Sequence, residues 1–130
     1  MNKLYLILGG ALSGLGVILG AFGAHGLKSI APDSVPTFQT GVQYQMYHAF
    51  ALLMVGILFE KFPVKAMNWA GICFLIGILL FSGSLYALTA LKASGKVGLG
   101  GVGIITPIGG LFFIAGWIAL VVGVLKGVKV

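Results

Sequence analysis

Acidic residues, arginine and cysteine are almost missing from this sequence. It has one aspartate, one glutamate, no arginine and a single cysteine, Cys73, and only 8% of its 130 residues are charged. A single cysteine excludes an intrachain disulfide. Hydrophobic residues make up 59% of the chain, whereas a soluble domain averages about 45–50% apolar and about 25% charged residues. The chain could not cover such a surface in water, so its composition predicts an integral membrane protein.

The basic residues and the glycines exclude two further classes of protein. The eight lysines, which together with the two acidic residues give a net charge of +6, lie singly or in pairs between apolar runs. Nucleic-acid-binding proteins usually cluster basic residues on one face, so we expect these lysines to meet anionic lipid headgroups instead. The 22 glycines are embedded among Leu, Ile, Val and Phe, which excludes a disordered linker.

Four continuous apolar stretches are each long enough for a transmembrane helix, which needs about 20 residues. Their continuity also excludes a strand-based barrel, whose strands alternate apolar and polar residues. The first stretch could instead be a signal peptide, because Lys3 precedes it, but it is long for that role. The sequence therefore predicts an all-α protein with a single domain over residues 1–130, a four-helix bundle. Its predicted transmembrane helices cover residues 4–27, 36–59, 66–91 and 102–125.

The lysines between these stretches predict the orientation of the bundle. The side that holds the N-terminal amine carries Lys3, Lys61, Lys65, Lys126 and Lys129. The other side carries Lys28, Lys92 and Lys96. The positive-inside rule then predicts that both termini lie in the cytoplasm.

Stripes of small residues predict where the helices touch, since helices in lipid associate through close packing. The first stretch has one stripe of Gly9, Ser13, Gly16, Gly20 and Gly23 and a second of Gly10, Gly14, Ala21 and Ala24. The fourth stretch repeats glycine every seventh residue, at Gly109, Gly116 and Gly123. Close packing within the bundle or between subunits explains these stripes, and a sliding or gating helix is the functional alternative.

Polar residues gather in the half of the predicted bundle that faces away from the cytoplasm. Polar side chains in lipid need hydrogen-bonding partners, so their common depth predicts that they meet. The candidate ligand-binding residues are His25, Gln39, Gln43, Tyr44, Gln45, His48, Ser82, Ser84, Tyr86 and Thr106. They predict either an interhelical hydrogen-bond cluster that fixes the helix register, or a hydrated, outward-open pocket.

The sequence offers few residues for catalysis or for binding a metal ion. Asp33 and Glu60, the only carboxylates, fall on opposite sides of the predicted membrane, which argues against a hydrolase triad. A pair of Ser82 or Ser84 with His48 is the remaining enzymatic alternative. Two histidines fall short of the three or four ligands that zinc prefers. We therefore predict no catalytic residues, no metal site and no cofactor, although His48 could relay a proton.

Four segments resemble a known family in the same order along nearly the whole chain. They are residues 20–27 (GAFGAHGL), 39–48 (QTGVQYQMYH), 81–86 (FSGSLY) and 105–110 (ITPIGG). These segments resemble the domain-of-unknown-function 423 family of small bacterial membrane proteins, which is related to eukaryotic transmembrane protein 256. The resemblance implies four membrane-spanning helices and a bacterial inner-membrane location, and it implies no reaction or substrate.

These patterns together favour a non-enzymatic, multi-pass inner-membrane protein that binds or passes a small polar solute, an ion or a lipid headgroup. The alternative is a structural or accessory protein whose polar cluster only holds the bundle together and whose glycine-rich faces bind other membrane proteins. The expected partners are membrane lipids, a small polar ligand, a second copy or other membrane proteins, and not nucleic acid. A cavity at the depth of His48 with unsatisfied polar groups would favour the ligand site. Exposed small-residue faces would favour the accessory protein.

Overall fold

The computed structural model describes residues 2–93 and 100–127, and the side chains of residues 2–93 and 103–127. Helices account for nearly all of these residues, and no strand occurs among them, which confirms the predicted all-α class. The elements are α1 (Lys3–Ala24), α2 (Gly26–Ile30), a 3-10 turn (Pro32–Ser34), α3 (Val35–Leu58), α4 (Lys65–Gly77), a π-helical turn (Ile78–Ser82), α5 (Gly83–Ala93) and α6 (Gly100–Gly127).

Three of the described helices are long and apolar enough to cross a membrane. They are Lys3–Ile30, Lys65–Ala93 and Gly103–Gly127. The sequence predicts four such helices, and α3 is not among the three, although it has 24 residues. The physical reason is its polar first half, where Gln39, Gln43, Gln45 and His48 lower the mean hydropathy of the helix.

The ends of α1 and α3 follow from local sequence. The side chain of Asn2 accepts a hydrogen bond from the Tyr5 backbone at 3.3 Å and caps α1. The first predicted stretch ran without interruption to residue 27, but the helix breaks at His25, whose φ is −120°, and restarts as α2. Gly23 and Gly26 flank this break and have low helix propensity. Pro36 lies in the first turn of α3, where a missing N–H costs no helical bond.

Two helices form the middle of the arrangement, and two lie outside them. The outer helix α1 packs mainly along α3, and α6 packs mainly along the continuous helix made of α4, the π-helical turn and α5. The middle helices α3 and α4–α5 pack against each other. A core cluster that includes Leu52, Val55, Met67 and Phe74 fills the contact between them, and a smaller cluster lies near the start of α3.

The seventh-residue glycines of α6 face the α4–α5 helix, as their spacing predicts. A Cβ at Gly109 would overlap the backbone of Phe81 in the π-helical turn, and one at Gly116 or Gly123 would meet α4. Because backbone atoms cannot rotate away as a side chain can, the approach at Gly109 requires glycine. This contact brings the start of α6 against the polar end of α3 and α5.

The two small-residue stripes of α1 have different surroundings. Gly9 and Gly16 of the first stripe pack on α3, and a Cβ at Gly9 would lie 2.9 Å from the carbonyl oxygen of Ala49. Gly10 and Gly14 of the second stripe have open space instead, with nothing within 4 Å of a Cβ. The first stripe therefore holds α1 on α3, and the second lies on the outside of the described structure.

Candidate functional site

The His48 side chain lies at the centre of the predicted polar set and is 4% exposed. Its Nδ1 lies 2.8 Å from the carbonyl oxygen of Tyr44, and its Nε2 lies 3.1 Å from Nε1 of Trp117. A carbonyl can only accept and an indole N–H can only donate, so the contacts require a neutral ring with its proton on Nδ1. The ring also stacks on Phe113 with a centroid separation of 3.5 Å. Both ring nitrogens are therefore already paired.

Gln45 joins three helices and is 2% exposed. Its Nε2 donates to the carbonyl oxygen of Leu12 in α1 at 2.8 Å. Its Oε1 accepts from the hydroxyl of Tyr86 in α5 at 2.6 Å. These two contacts orient the amide and place α1 and α5 at a fixed register along α3.

The hydroxyls of the third and fourth predicted spans are paired in the same way. Ser82 donates to the carbonyl oxygen of Gly41 in α3 at 2.7 Å. Ser84 donates to the carbonyl oxygen of Phe81 at 2.8 Å and lies within hydrogen-bonding distance of the Thr106 hydroxyl. Since the single proton of Ser84 is used, Thr106 is the donor between the two hydroxyls. This pair ties α5 to α6.

Gln39, nearer the start of α3, donates from Nε2 to the carbonyl oxygen of Gly20 in α1 at 3.2 Å. Among the described residues, no buried side-chain nitrogen or oxygen lacks a hydrogen-bond partner. We call the side chains whose hydrogen bonds are described above the polar cluster. Its members are Gln39, Gln45, His48, Ser82, Ser84, Tyr86, Thr106 and Trp117.

Three predicted site residues lie outside this pairing. His25 is exposed at the end of α1. Gln43 is exposed and donates from Nε2 to the Tyr47 hydroxyl at 2.6 Å. Tyr44 contributes its carbonyl oxygen to His48, while its ring packs on Phe81 with centroids 4.6 Å apart. The structure thus brings seven of the ten predicted residues into the cluster and leaves these three at its edge.

A groove of about 480 Å³ lies between α3 and α6 at the level of His48. Aromatic and apolar side chains form most of its wall. The lining residues are Tyr44, His48, Phe81, Pro107, Gly110, Leu111, Phe113, Ile114 and Trp117. A cavity at this depth with unsatisfied polar groups would favour the ligand site, but the wall of this groove differs from that of a hydrated polar pocket, because the His48 nitrogens are already bonded. Such a surface suits a hydrocarbon chain better than a polar solute.

Trp117 and Phe113, which complete the surroundings of His48, are not among the residues predicted from the sequence. A signal for Trp117 was present, because an indole N–H inside an apolar helix needs an acceptor. The π-helical turn of residues 78–82 was also missed, and it places Ser82 against Gly41. The chain carries no equally direct signal for that turn.

The arrangement offers few groups for catalysis or metal binding. Asp33 and Glu60 lie beyond opposite ends of α3. The hydroxyls of Ser82 and Ser84 bond to backbone oxygens and not to His48. Across residues 2–93 and 100–127, no group of three His, Cys, Asp or Glu side chains could hold a metal ion.

Known proteins are similar to this chain over most of its length. The family model described as "Protein of unknown function (DUF423)" matches residues 19–110. The UPF0382 membrane protein SH2409 of Staphylococcus haemolyticus is 41% identical over 127 residues, and the match covers 95% of this chain and 97% of that protein. The UPF0382 membrane protein YwdK of Bacillus subtilis is 44% identical over 126 residues, and the match covers 95% of this chain and 98% of that protein. No solved structure matches the chain.

Proposed function

Because this chain belongs to the DUF423 family, whose relatives are named membrane proteins, we propose that it is a non-enzymatic, accessory protein of the bacterial inner membrane. Its polar cluster holds the helices in register, and a face of α1 associates with other membrane-embedded helices. The observation that carries this proposal is that every buried side-chain nitrogen and oxygen in the described part of the chain has a hydrogen-bond partner.

The pairing of the polar cluster argues for a structural role over a polar ligand site. A polar solute would have to compete for atoms such as His48 Nε2 and Gln45 Oε1, which already have partners within the chain. Interhelical hydrogen bonds in membranes each contribute about 0.6–2 kcal/mol. A solute that displaced several of them would loosen the contacts that join α1, α3, α5 and α6.

The proposed topology has four membrane crossings and both termini in the cytoplasm. At about 1.5 Å per residue, the 24 residues of α3 extend roughly 36 Å, which exceeds the roughly 30 Å of a bilayer's hydrocarbon core. The polar groups on the buried side of α3 bond to α1, α5 and α6, so their low hydropathy does not prevent a crossing.

The proposed contact with other helices is the exposed small-residue stripe of α1. This stripe, called the α1 small-residue face, consists of Gly10, Gly14, Ala21 and Ala24, and Val17 lies on the same side of the helix between them; all five are exposed. Gly10 and Gly14 are four residues apart, the spacing that lets two transmembrane helices approach closely. The open space at both glycines would admit the backbone of a neighbouring helix.

Site-specific photo-crosslinking in bacterial membranes tests this function. A photoreactive residue at Val17 should give discrete crosslinked protein products, and the same residue at Leu15, on the other side of α1, should give far fewer. Both side chains are exposed, at 65% and 46% respectively, and they lie at nearly equal depth. Gly14→Ile should abolish the Val17 products, because its side chain blocks close approach. Equal products from both positions, or none from Val17, would contradict the proposal.

A second candidate function is the retention of a lipid acyl chain in the groove between α3 and α6. The observation in its favour is the aromatic and apolar wall of that groove. Native mass spectrometry from mild detergent should then show a lipid adduct on the wild type. Gly110→Leu, which fills the groove from α6, should remove the adduct. An adduct that persists at equal abundance would exclude the groove as its site.

A further inference from the structure

One face of α3 is left uncovered by every other described helix. Its residues follow one another at spacings of three and four, and all of them are exposed: Thr40, Gln43, Tyr47, Phe50, Met54 and Ile57. We call this the α3 polar face. The opposite sides of α3 pack on α1 and on α4–α5, so this face points away from the rest of the described chain.

Two polar side chains lie well inside the membrane on this face. At about 1.5 Å per residue, Gln43 and Tyr47 lie roughly 12 and 18 Å from the start of α3. Hydrocarbon of roughly 30 Å thickness would therefore surround both of them in the proposed topology. A polar group without a hydrogen-bond partner costs free energy there, because lipid chains can neither donate nor accept hydrogen bonds.

Their mutual hydrogen bond uses only part of their bonding capacity. The Gln43 Nε2 donates to the Tyr47 hydroxyl at 2.6 Å. Within the part of the chain that the structure describes, no bond reaches the Gln43 Oε1, and none uses the Tyr47 hydroxyl proton. A free acceptor, Gln43 Oε1, and two free donors, the second amide N–H and the Tyr47 hydroxyl, therefore lie side by side, facing lipid.

We propose that the α3 polar face is the contact surface of a homodimer. A second copy necessarily presents the same donor and acceptor at the same depth, so each Tyr47 hydroxyl can donate to the Gln43 Oε1 of the other subunit. Lipid chains offer neither group, and an unrelated helix would need a matching polar pair at this height. Two copies inserted with the same orientation are related by a twofold axis along the membrane normal, which places the α3 helices in parallel.

The rest of the face fits such a contact. The alternation of three- and four-residue spacings is the pattern of helices that cross at about +20° with a left-handed twist. Phe50, Met54 and Ile57 continue the stripe as apolar side chains toward the other end of the helix. This inference rests on α3 and the four-crossing topology, and it does not depend on the α1 small-residue face.

Disulfide crosslinking in native membranes tests the dimer. In a Cys73→Ala background, which removes the only natural cysteine, Phe50→Cys should form a covalent product of twice the chain's mass upon oxidation. The matched control is Leu79→Cys, in the middle of the α4–α5 helix and away from this face. Leu79 is more exposed than Phe50, at 72% against 52%, so random collisions would favour the control.

A second set of variants tests the role of the amide. Gln43→Leu should lower the dimer association constant about tenfold, since it removes both of the symmetry-related hydrogen bonds between the subunits. Gln43→Asn, which retains the amide, should keep much of the association constant. Circular dichroism of each variant should match the wild type, because among the described residues the Gln43 side chain bonds only to that of Tyr47.

Three outcomes would overturn the homodimer. The first is equal crosslinking of Phe50→Cys and Leu79→Cys. The second is a product that is not twice the mass of the chain, which would assign the face to another protein. The third is a dimer whose association is unchanged by Gln43→Leu. Loss of the Val17 photo-crosslinks would contradict the proposed accessory function and leave this test unaffected, so the two failures are distinguishable.

Discussion

The indole Nε1 of Trp117 lies 3.1 Å from Nε2 of His48 and donates its proton to it. This bond ties the middle of α6 to the middle of α3 and leaves no free nitrogen on the ring, because Nδ1 is paired with the Tyr44 carbonyl. The buried histidine, a candidate ligand and proton relay in the sequence, therefore joins two helices.

The tautomer of His48 is a direct test of this pairing. We expect 15N NMR of the lipid-reconstituted protein at neutral pH to show a protonated Nδ1 and a bare Nε2. His25→Gln leaves His48 as the only histidine of the two in the chain and makes the assignment unambiguous. Trp117→Phe should shift the Nε2 resonance and lower the free energy of unfolding by about 1–2 kcal/mol. An Nε2-protonated ring would contradict the Trp117 contact.

The Gln45–Tyr86 hydrogen bond should couple α3 to α5 energetically. Gln45→Leu and Tyr86→Phe should each destabilise the protein, and the double variant should lose less than the sum of the two. We expect a coupling energy of about 0.6–2 kcal/mol from SDS-induced unfolding in bicelles. The effects of the two substitutions on the free energy of unfolding would be additive if the hydrogen bond between Gln45 Oε1 and the Tyr86 hydroxyl did not form.

The neighbouring glycines Gly109 and Gly110 should differ sharply in their tolerance of a methyl group. A Cβ at position 109 would overlap the backbone of Phe81, whereas one at position 110 would meet nothing closer than 3.9 Å. Gly109→Ala should therefore lower stability by about 1–3 kcal/mol through overpacking. Gly110→Ala should be neutral or slightly stabilising, because alanine favours the helix. Thermal unfolding in detergent compares the two, and similar losses would refute this packing.

Cysteine accessibility tests whether α3 crosses the membrane. Ser29 and Lys61, both exposed, lie beyond its two ends, and Lys92 lies at the end of α5. In a Cys73→Ala background, an impermeant thiol reagent should label Ser29→Cys and Lys92→Cys on intact cells. It should label Lys61→Cys only after the membrane is opened. Labelling of Ser29→Cys and Lys61→Cys from the same side would show that α3 does not cross.

Much of the candidate site was predictable because polar residues in an apolar chain are conspicuous. Gln45, His48, Ser82, Ser84 and Thr106 stood out in the sequence for that reason, and all of them belong to the polar cluster. Their partners were not predictable. Backbone carbonyls such as those of Leu12 and Gly41 become acceptors only because glycine contacts and the π-helical turn bring the helices within hydrogen-bonding distance.

The sequence by itself determined the membrane character, the helical class and the glycine face on which α6 packs. Each of these follows from local composition and spacing: long apolar runs, scarce charge, and glycines every seventh residue in α6. Only the tertiary structure decided what the polar residues do. Whether a buried donor is free or paired depends on which acceptor lies opposite it on another helix. Such a pair joins residues far apart in sequence, as His48 and Trp117 are, and no spacing along one helix encodes it.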